Sequence, residues 1–132
     1  MNFTWSFSGG SDGVLGILWG LKKDGGNAFI NNGILVSLNP SRSPTSFPIA
    51  LPKGYKKRIR GSLTGNKFSG QAIFTLRSIR KSDETFYGCK VEPINSFESP
   101  DFDHLYLLVG GRELNANSYS VCSDMSDMSI TQ

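Results

Sequence analysis

Apolar and polar residues alternate along this chain in short stretches, and that period of two constrains the fold more than any other feature. Phe3, Trp5 and Phe7 alternate with Thr4, Ser6 and Ser8. The same pattern recurs at Leu15, Ile17 and Trp19, at Ile34, Val36 and Leu38, and at Phe74 and Leu76. It returns at Tyr87, Cys89 and Val91 and at Leu105, Leu107 and Val109. Side chains on a strand point to opposite faces in turn, so each stretch reads as a half-buried antiparallel strand. No window longer than ten residues keeps a helical apolar stripe free of Gly or Pro.

Turn signals separate the strands. Residues 8–13 (SGGSDG) form a loop, and Lys22 to Gly26, Asn31 to Gly33 and Thr64 to Lys67 read as hairpin turns. Pro40, Pro44, Pro48 and Pro52 punctuate a long surface excursion from Asn39, because proline cannot donate to a central ladder. Eight or so short strands with frequent turns predict an all-β antiparallel sandwich. The folded domain is expected over residues 2–111. Residues 112–132, rich in Ser, Asn, Asp and Met with Ser-Asp-Met twice, read as a flexible tail or linker.

One His and two Cys exclude a His/Cys zinc cluster and a disulfide-rich scaffold. His104 alone could serve a catalytic triad, and it reads as a surface residue. No Gly-x-Ser-x-Gly and no glycine-rich phosphate loop occurs, so no enzyme activity and no cofactor is expected. The longest apolar run, Val14 to Leu21, is broken by Gly16 and Gly20 and is too short for a bilayer. No signal peptide is read, and any membrane anchor is expected outside this sequence. The net charge is +3, but it is segregated. Nine cations and no acid lie between Lys53 and Lys81, and four acids and no cation between Glu92 and Asp103.

Residues 83–89 (DETFYGC) have the form Asp-x-x-x-Tyr-x-Cys. This resembles the tyrosine corner and F strand of a variable-type immunoglobulin domain, with Tyr87 two residues before Cys89. Trp19 resembles the core Trp of strand C. Arg58 resembles the strand-D Arg that pairs with the Asp of the F motif, here Asp83. The resemblance implies a two-sheet Greek-key sandwich held by Trp5, Trp19, Arg58, Asp83, Tyr87 and Cys89. Trp5 stands near where the B-strand Cys would lie, so the B–F disulfide is expected to be absent. Cys89 is then a buried thiol or the partner of Cys122. Strand A is missing or reduced, which implies an N-terminally trimmed piece or an edge strand supplied from elsewhere. Within the superfamily the chain resembles invertebrate, cnidarian-type cell-surface recognition receptors.

The resemblance implies a recognition domain on the extracellular face of the plasma membrane or in a secreted protein, acting in adhesion, self/non-self or immune recognition. The partner is another protein or a second copy of the chain, with no nucleic acid and no membrane insertion by this segment. Binding is expected at the FG loop through Glu92, Ile94, Asn95, Phe97, Glu98, Asp101 and Phe102, where aromatics sit in a polar loop. Lys53, Lys56, Lys57 and Arg60 form a candidate polyanion or self-association patch. Asn2 heads the one usable glycosylation sequon, since Asn39-Pro-Ser is blocked by its proline. Two alternatives remain at this level. One is a secreted carbohydrate- or polyanion-binding sandwich, which heparin retention would reveal; the other is a structural stalk domain in a tandem array.

Overall fold

The structure, a computed structural model, describes residues 1–9, 11–48, 51–52, 54–110, 113–114 and 126–131. Its strands are β1 (Asn2–Ser8), β2 (Val14–Lys22), β3 (Phe29–Asn39), β4 (Arg42–Ser46), β5 (Ile59–Gly65) and β6 (Ser69–Leu76). They continue with β7 (Thr85–Pro93), β8 (Asp101–Leu107), β9 (Val109–Gly110), β10 (Glu113–Leu114) and β11 (Ser126–Thr131). A 3-10 turn, Lys81–Asp83, precedes β7. Two antiparallel sheets pack face to face, in the orders β11-β1-β6-β5 and β4-β3-β2-β7-β8, and β9 and β10 form a small ribbon. The all-β sandwich expected from the alternation is what forms.

The alternation builds the core. Phe3, Trp5 and Phe7 of β1 and Ala72, Phe74 and Leu76 of β6 point inward from one sheet. Ile17, Trp19, Val36, Leu38, Tyr87, Cys89, Val91, Leu105 and Leu107 point inward from the other. Trp19 is the hub. Its ring centroid stands 5.4 Å from each of Phe3, Phe74 and Tyr87, stacked on the last two. Each large side chain so buried contributes about 1.5–3 kcal/mol of transfer free energy. The indole N–H groups of Trp5 and Trp19 find no hydrogen-bond partner among the described residues. Each such orphan costs about 1–3 kcal/mol, so apolar packing alone holds the two indoles inside. Cys89 lies buried in this core, directly opposite Trp19 on the neighbouring strand.

Four local readings differ from the sequence expectation, each for a ladder reason. In β2, a register shift between Val14 and Gly16 inserts one extra residue, so Leu15 turns out to 51% exposure while Val14 goes in. Asn31–Gly33 is not a hairpin turn but lies inside β3, where a register shift against β2 between Gly20 and Lys22 lets the segment arch out, with Asn32 at φ 57°. Within the proline-punctuated excursion, Arg42–Ser46 forms β4, an edge strand against β3, the position where proline is tolerated. Residues 126–131, read from composition as tail, form β11 along the outer edge of β1, from Asn2↔Thr131 to Phe7↔Ser126. Its ladder bonds satisfy an edge that polar composition alone does not reveal. Cys122 and residues 115–125 lie outside the described residues.

The sandwich has two ends. The β1–β2, β3–β4, β5–β6 and β7–β8 connections gather at one, here called apical. The β2–β3 and β6–β7 connections and the start of β5 gather at the other, the basal end. β7 runs from one to the other, with Tyr87 opposite Leu21 near the base and Pro93 opposite Val14 at the apex.

Candidate interaction site

At the base, side chains do the fastening. Arg58 donates to both carboxylate oxygens of Asp83, at 2.9 and 2.8 Å, in a two-point fork. Its remaining N–H groups reach the carbonyls of Gly54 at 2.6 Å and Arg77 at 3.1 Å. The Arg80 amide donates to Asp83 at 2.8 Å. Burial alone would raise the Asp83 carboxyl; the Arg58 fork, the Arg80 amide and the two nearby cationic charges outweigh it and hold it below the usual carboxylate range. Tyr87 donates its hydroxyl to the Asp83 carbonyl at 2.8 Å. Its one proton is thereby used, so the Tyr55 hydroxyl, 2.9 Å away, donates to the Tyr87 oxygen. Burial keeps the Tyr87 phenol well above its ordinary value. The fork between Arg58 and Asp83 and the tyrosine bond expected from the sequence are both present.

At the apex, the backbone does the fastening. The Gly9 amide donates to the Phe68 carbonyl at 2.6 Å and the Val14 amide to that of Lys67 at 2.7 Å. The Ile94 amide donates to the Gly13 carbonyl at 3.1 Å. The β1–β2 loop is thus tied to the β5–β6 loop on one side and the β7–β8 loop on the other. Gly13 makes this possible: its φ is +92°, and a Cβ there would stand 2.9 Å from Lys67 Cγ. Ser11 adds a side-chain bond, donating to Glu98 at 3.3 Å.

Two of these loops use one device. Asn95 accepts the Phe97 amide at 2.9 Å through its side chain, and Asn66 accepts the Phe68 amide at 2.8 Å in the same way. In each, an Asn closes the turn and a Phe two residues on projects outward. Phe97 is 96% exposed and Phe68 50%. Lys67 Nζ lies 5.1 Å from the Phe68 ring centroid. With Leu15 and Ile94, these phenylalanines place four exposed large apolar side chains on one end of the molecule. Singly exposed apolar residues are ordinary on a protein surface; here Phe68, Ile94 and Phe97 sit on loops and Leu15 at the bulged start of β2, all at the apical end.

The expected FG-loop residues separate into groups. Ile94, Asn95, Phe97 and Glu98 belong to the apical loop. Glu92 lies within β7 and pairs with Lys90 at 3.7 Å. Asp101 and Phe102 open β8. Phe102 stands edge-on to Phe29 at 5.3 Å and covers Gly88, where a Cβ would meet its ring at 2.6 Å. It belongs to an aromatic stripe on the outer face of the five-stranded sheet. There Phe86 meets Tyr106 at 4.8 Å and His104 at 5.8 Å, and Lys22 Nζ sits 5.1 Å from the Phe86 ring.

The candidate basic patch is basal. Lys56, Lys57 and Arg60 are exposed there, while Lys53 lies outside the described residues. The fold adds exposed Arg77, Arg80 and Lys81. The acidic loop and the basic segment are therefore at opposite ends. Asn2 lies in β1, where its side-chain oxygen accepts a 2.7 Å bond from Thr75.

Sequence reasoning missed Leu15 and Phe68. A bulge decides the first and no local pattern announces it. Nor does a local pattern single out the second: Asn-x-Phe occurs at Asn66–Phe68 and Asn95–Phe97 but also at Asn27–Phe29, at the basal start of β3, where the ring packs edge-on to Phe102. Among the described residues, no helix is long and apolar enough to cross a membrane. No protein-family model, no curated protein and no solved structure matches the chain.

Proposed function

We propose that the chain is a protein–protein recognition domain of variable-type immunoglobulin architecture, displayed outside the cell on a surface or secreted protein and engaged through its apical end. The observation that carries this reading is Phe97. A phenylalanine at 96% exposure on a loop closed by Asn95 and braced to the β1–β2 loop costs little entropy to bind and is poorly placed for anything else. Leu15, Phe68 and Ile94 add exposed apolar side chains at the same end, and Asp12 and Glu98 add acidic ones. The architectural part is supported by the Arg58–Asp83 fork, the Tyr87 bond to Asp83 and the strand orders of the two sheets.

Adhesion or self/non-self recognition is the biological role most consistent with exposed apolar side chains on loops tied by main-chain bonds. The test uses beads coated with the domain, applied to cells of the source tissue and to a second set of domain-coated beads. Wild-type beads should bind one or the other, and beads carrying Phe97→Ala should not. Equal binding by the variant would remove the apical loop from the reading. The exposed basal cations favour a second reading, polyanion binding. Heparin retention that survives Phe97→Ala and disappears on substituting Lys56, Lys57 and Arg60 would support that one instead.

A further inference from the structure

The first strand of the chain is paired on both sides, and its outer neighbour is the last. β1 is bonded to β6 through seven opposed pairs and to β11 through six. Without β11, the outer edge of β1 would present a row of unpaired amides and carbonyls beside Phe3, Trp5 and Phe7, all buried in the core. That edge is a strand-binding site, and β11 shows the register and direction of what it takes.

The covalent path to β11 is indirect. β8 runs from apex to base, and the Val109 carbonyl, held by Lys81 at 3.0 Å, fixes β9 beside the basal 3-10 turn. β10 pairs with β9, so the chain leaves the described ribbon at the base. β11 begins opposite Phe7, which is apical, and ends opposite Asn2. The link must return the length of a six-residue strand, about 20 Å, before β11 can start. The 12 Cα steps from Leu114 to Ser126 reach at most about 40 Å.

We propose that β11 is an exchangeable strand, and that the outer edge of β1 takes the same segment from a second copy of this chain. Every ladder bond of β11 is the same whether the donor is its own chain or another. Two copies exchanging strands restore both edges and close a two-fold pair. What favours the single-chain arrangement is the tether, since covalent linkage gives a segment an effective concentration that reaches the millimolar range. Crowding of copies toward that concentration, as on a surface, should therefore populate the exchanged pair. This inference does not depend on what the apical end binds.

The register supplies the test. Thr4 stands opposite Ser129 and Asn2 opposite Thr131. Directly opposed residues of an antiparallel pair lie about 4.5–5.5 Å apart at Cα, within disulfide reach. Chains spanning residues 1–132, all carrying Cys122→Ser, are compared under mild oxidation. A chain with both Thr4→Cys and Ser129→Cys should bridge internally when dilute. Chains carrying one substitution each, mixed and incubated, should give a disulfide-linked dimer whose yield rises with concentration, several-fold above a mixture of Thr4→Cys with the out-of-register Ser126→Cys. Asn2→Cys with Thr131→Cys repeats the measurement should the first pair perturb folding. Internal bridging with mixed yields no higher than the out-of-register control overturns the exchange. Failure of both pairs to bridge in any format overturns the strand site itself.

Discussion

The two ends of the sandwich are held by different chemistry. The base is fastened by side chains: Arg58, Asp83, Tyr87 and Tyr55 form one buried chain of polar contacts. The apex is fastened by main-chain bonds between loops, and its large side chains are left outside. A side-chain lock dictates residue identity, because each atom must find its partner in a low-dielectric setting. A backbone lock leaves the loop side chains available for a partner. The difference separates residues that make the fold from residues that can be used by it, and it can be broken from either side.

The largest effect is expected at the base. Asp83→Ala leaves the Arg58 guanidinium, 8% exposed, without its counter-charge. Removing one member of a buried pair typically costs about 3–5 kcal/mol. Urea unfolding should show that loss with little change in slope, and a loss below about 1 kcal/mol would show that the fork is ornamental. The pair should also shape the acid limb. The Asp83 carboxyl is held below its unfolded value, so its stabilisation is complete above about pH 4–5 and fades as pH falls through the depressed folded value. Wild type and Asp83→Asn should differ by a constant amount near neutrality and converge in acid.

The basal lock was legible in the sequence and the apical site only in part. Asp83, Tyr87 and Cys89 lie on one short stretch of the form Asp-x-x-x-Tyr-x-Cys, and the resemblance of that stretch, with Trp19 and Arg58 upstream, to a variable-type immunoglobulin domain is what implied the lock. The apical surface depends on events that leave no local mark. Leu15 is exposed because of one extra residue in β2, and Phe68 meets the β1–β2 loop only through contacts set by the whole sandwich. Phe102 sat in an acidic, loop-like stretch, yet it extends β8 because its ring has Gly88 to lie on. β11 was the least legible, since its composition is that of a tail and its partner strand is more than 100 residues away in sequence.

At the apex the next largest effect is on binding and not on stability. Phe97→Ala should shift the unfolding midpoint by no more than the equivalent of about 0.5 kcal/mol, because the ring makes almost no contact with its own chain. Partner affinity should fall by about 2 kcal/mol or more, roughly 30-fold, as for a central aromatic anchor. A variant that lost stability and kept its binding would invert the comparison.

Gly13→Ala tests whether the apical loops are locked by backbone. A Cβ at φ +92° is strained and meets Lys67. A loss of about 1–2 kcal/mol is expected, and faster hydrogen exchange at the amides of Val14 and Ile94 should accompany it. Exchange unchanged at those amides would mean the loops are held by something other than these bonds.

The smallest contrast lies within the base. Tyr87→Phe removes the donor to the Asp83 carbonyl and the acceptor for Tyr55 in one step, leaving two buried groups short of a partner. About 1–2 kcal/mol should be lost. Tyr55→Phe removes only the outer bond and leaves Tyr87 donating to Asp83, so about half as much should be lost. If the base is one connected lock, the double variant should cost less than the sum of the singles, because both substitutions remove the same Tyr55–Tyr87 bond. Strict additivity would instead mean that the two hydroxyls contribute independently of each other, and the side-chain lock would not be one connected chain.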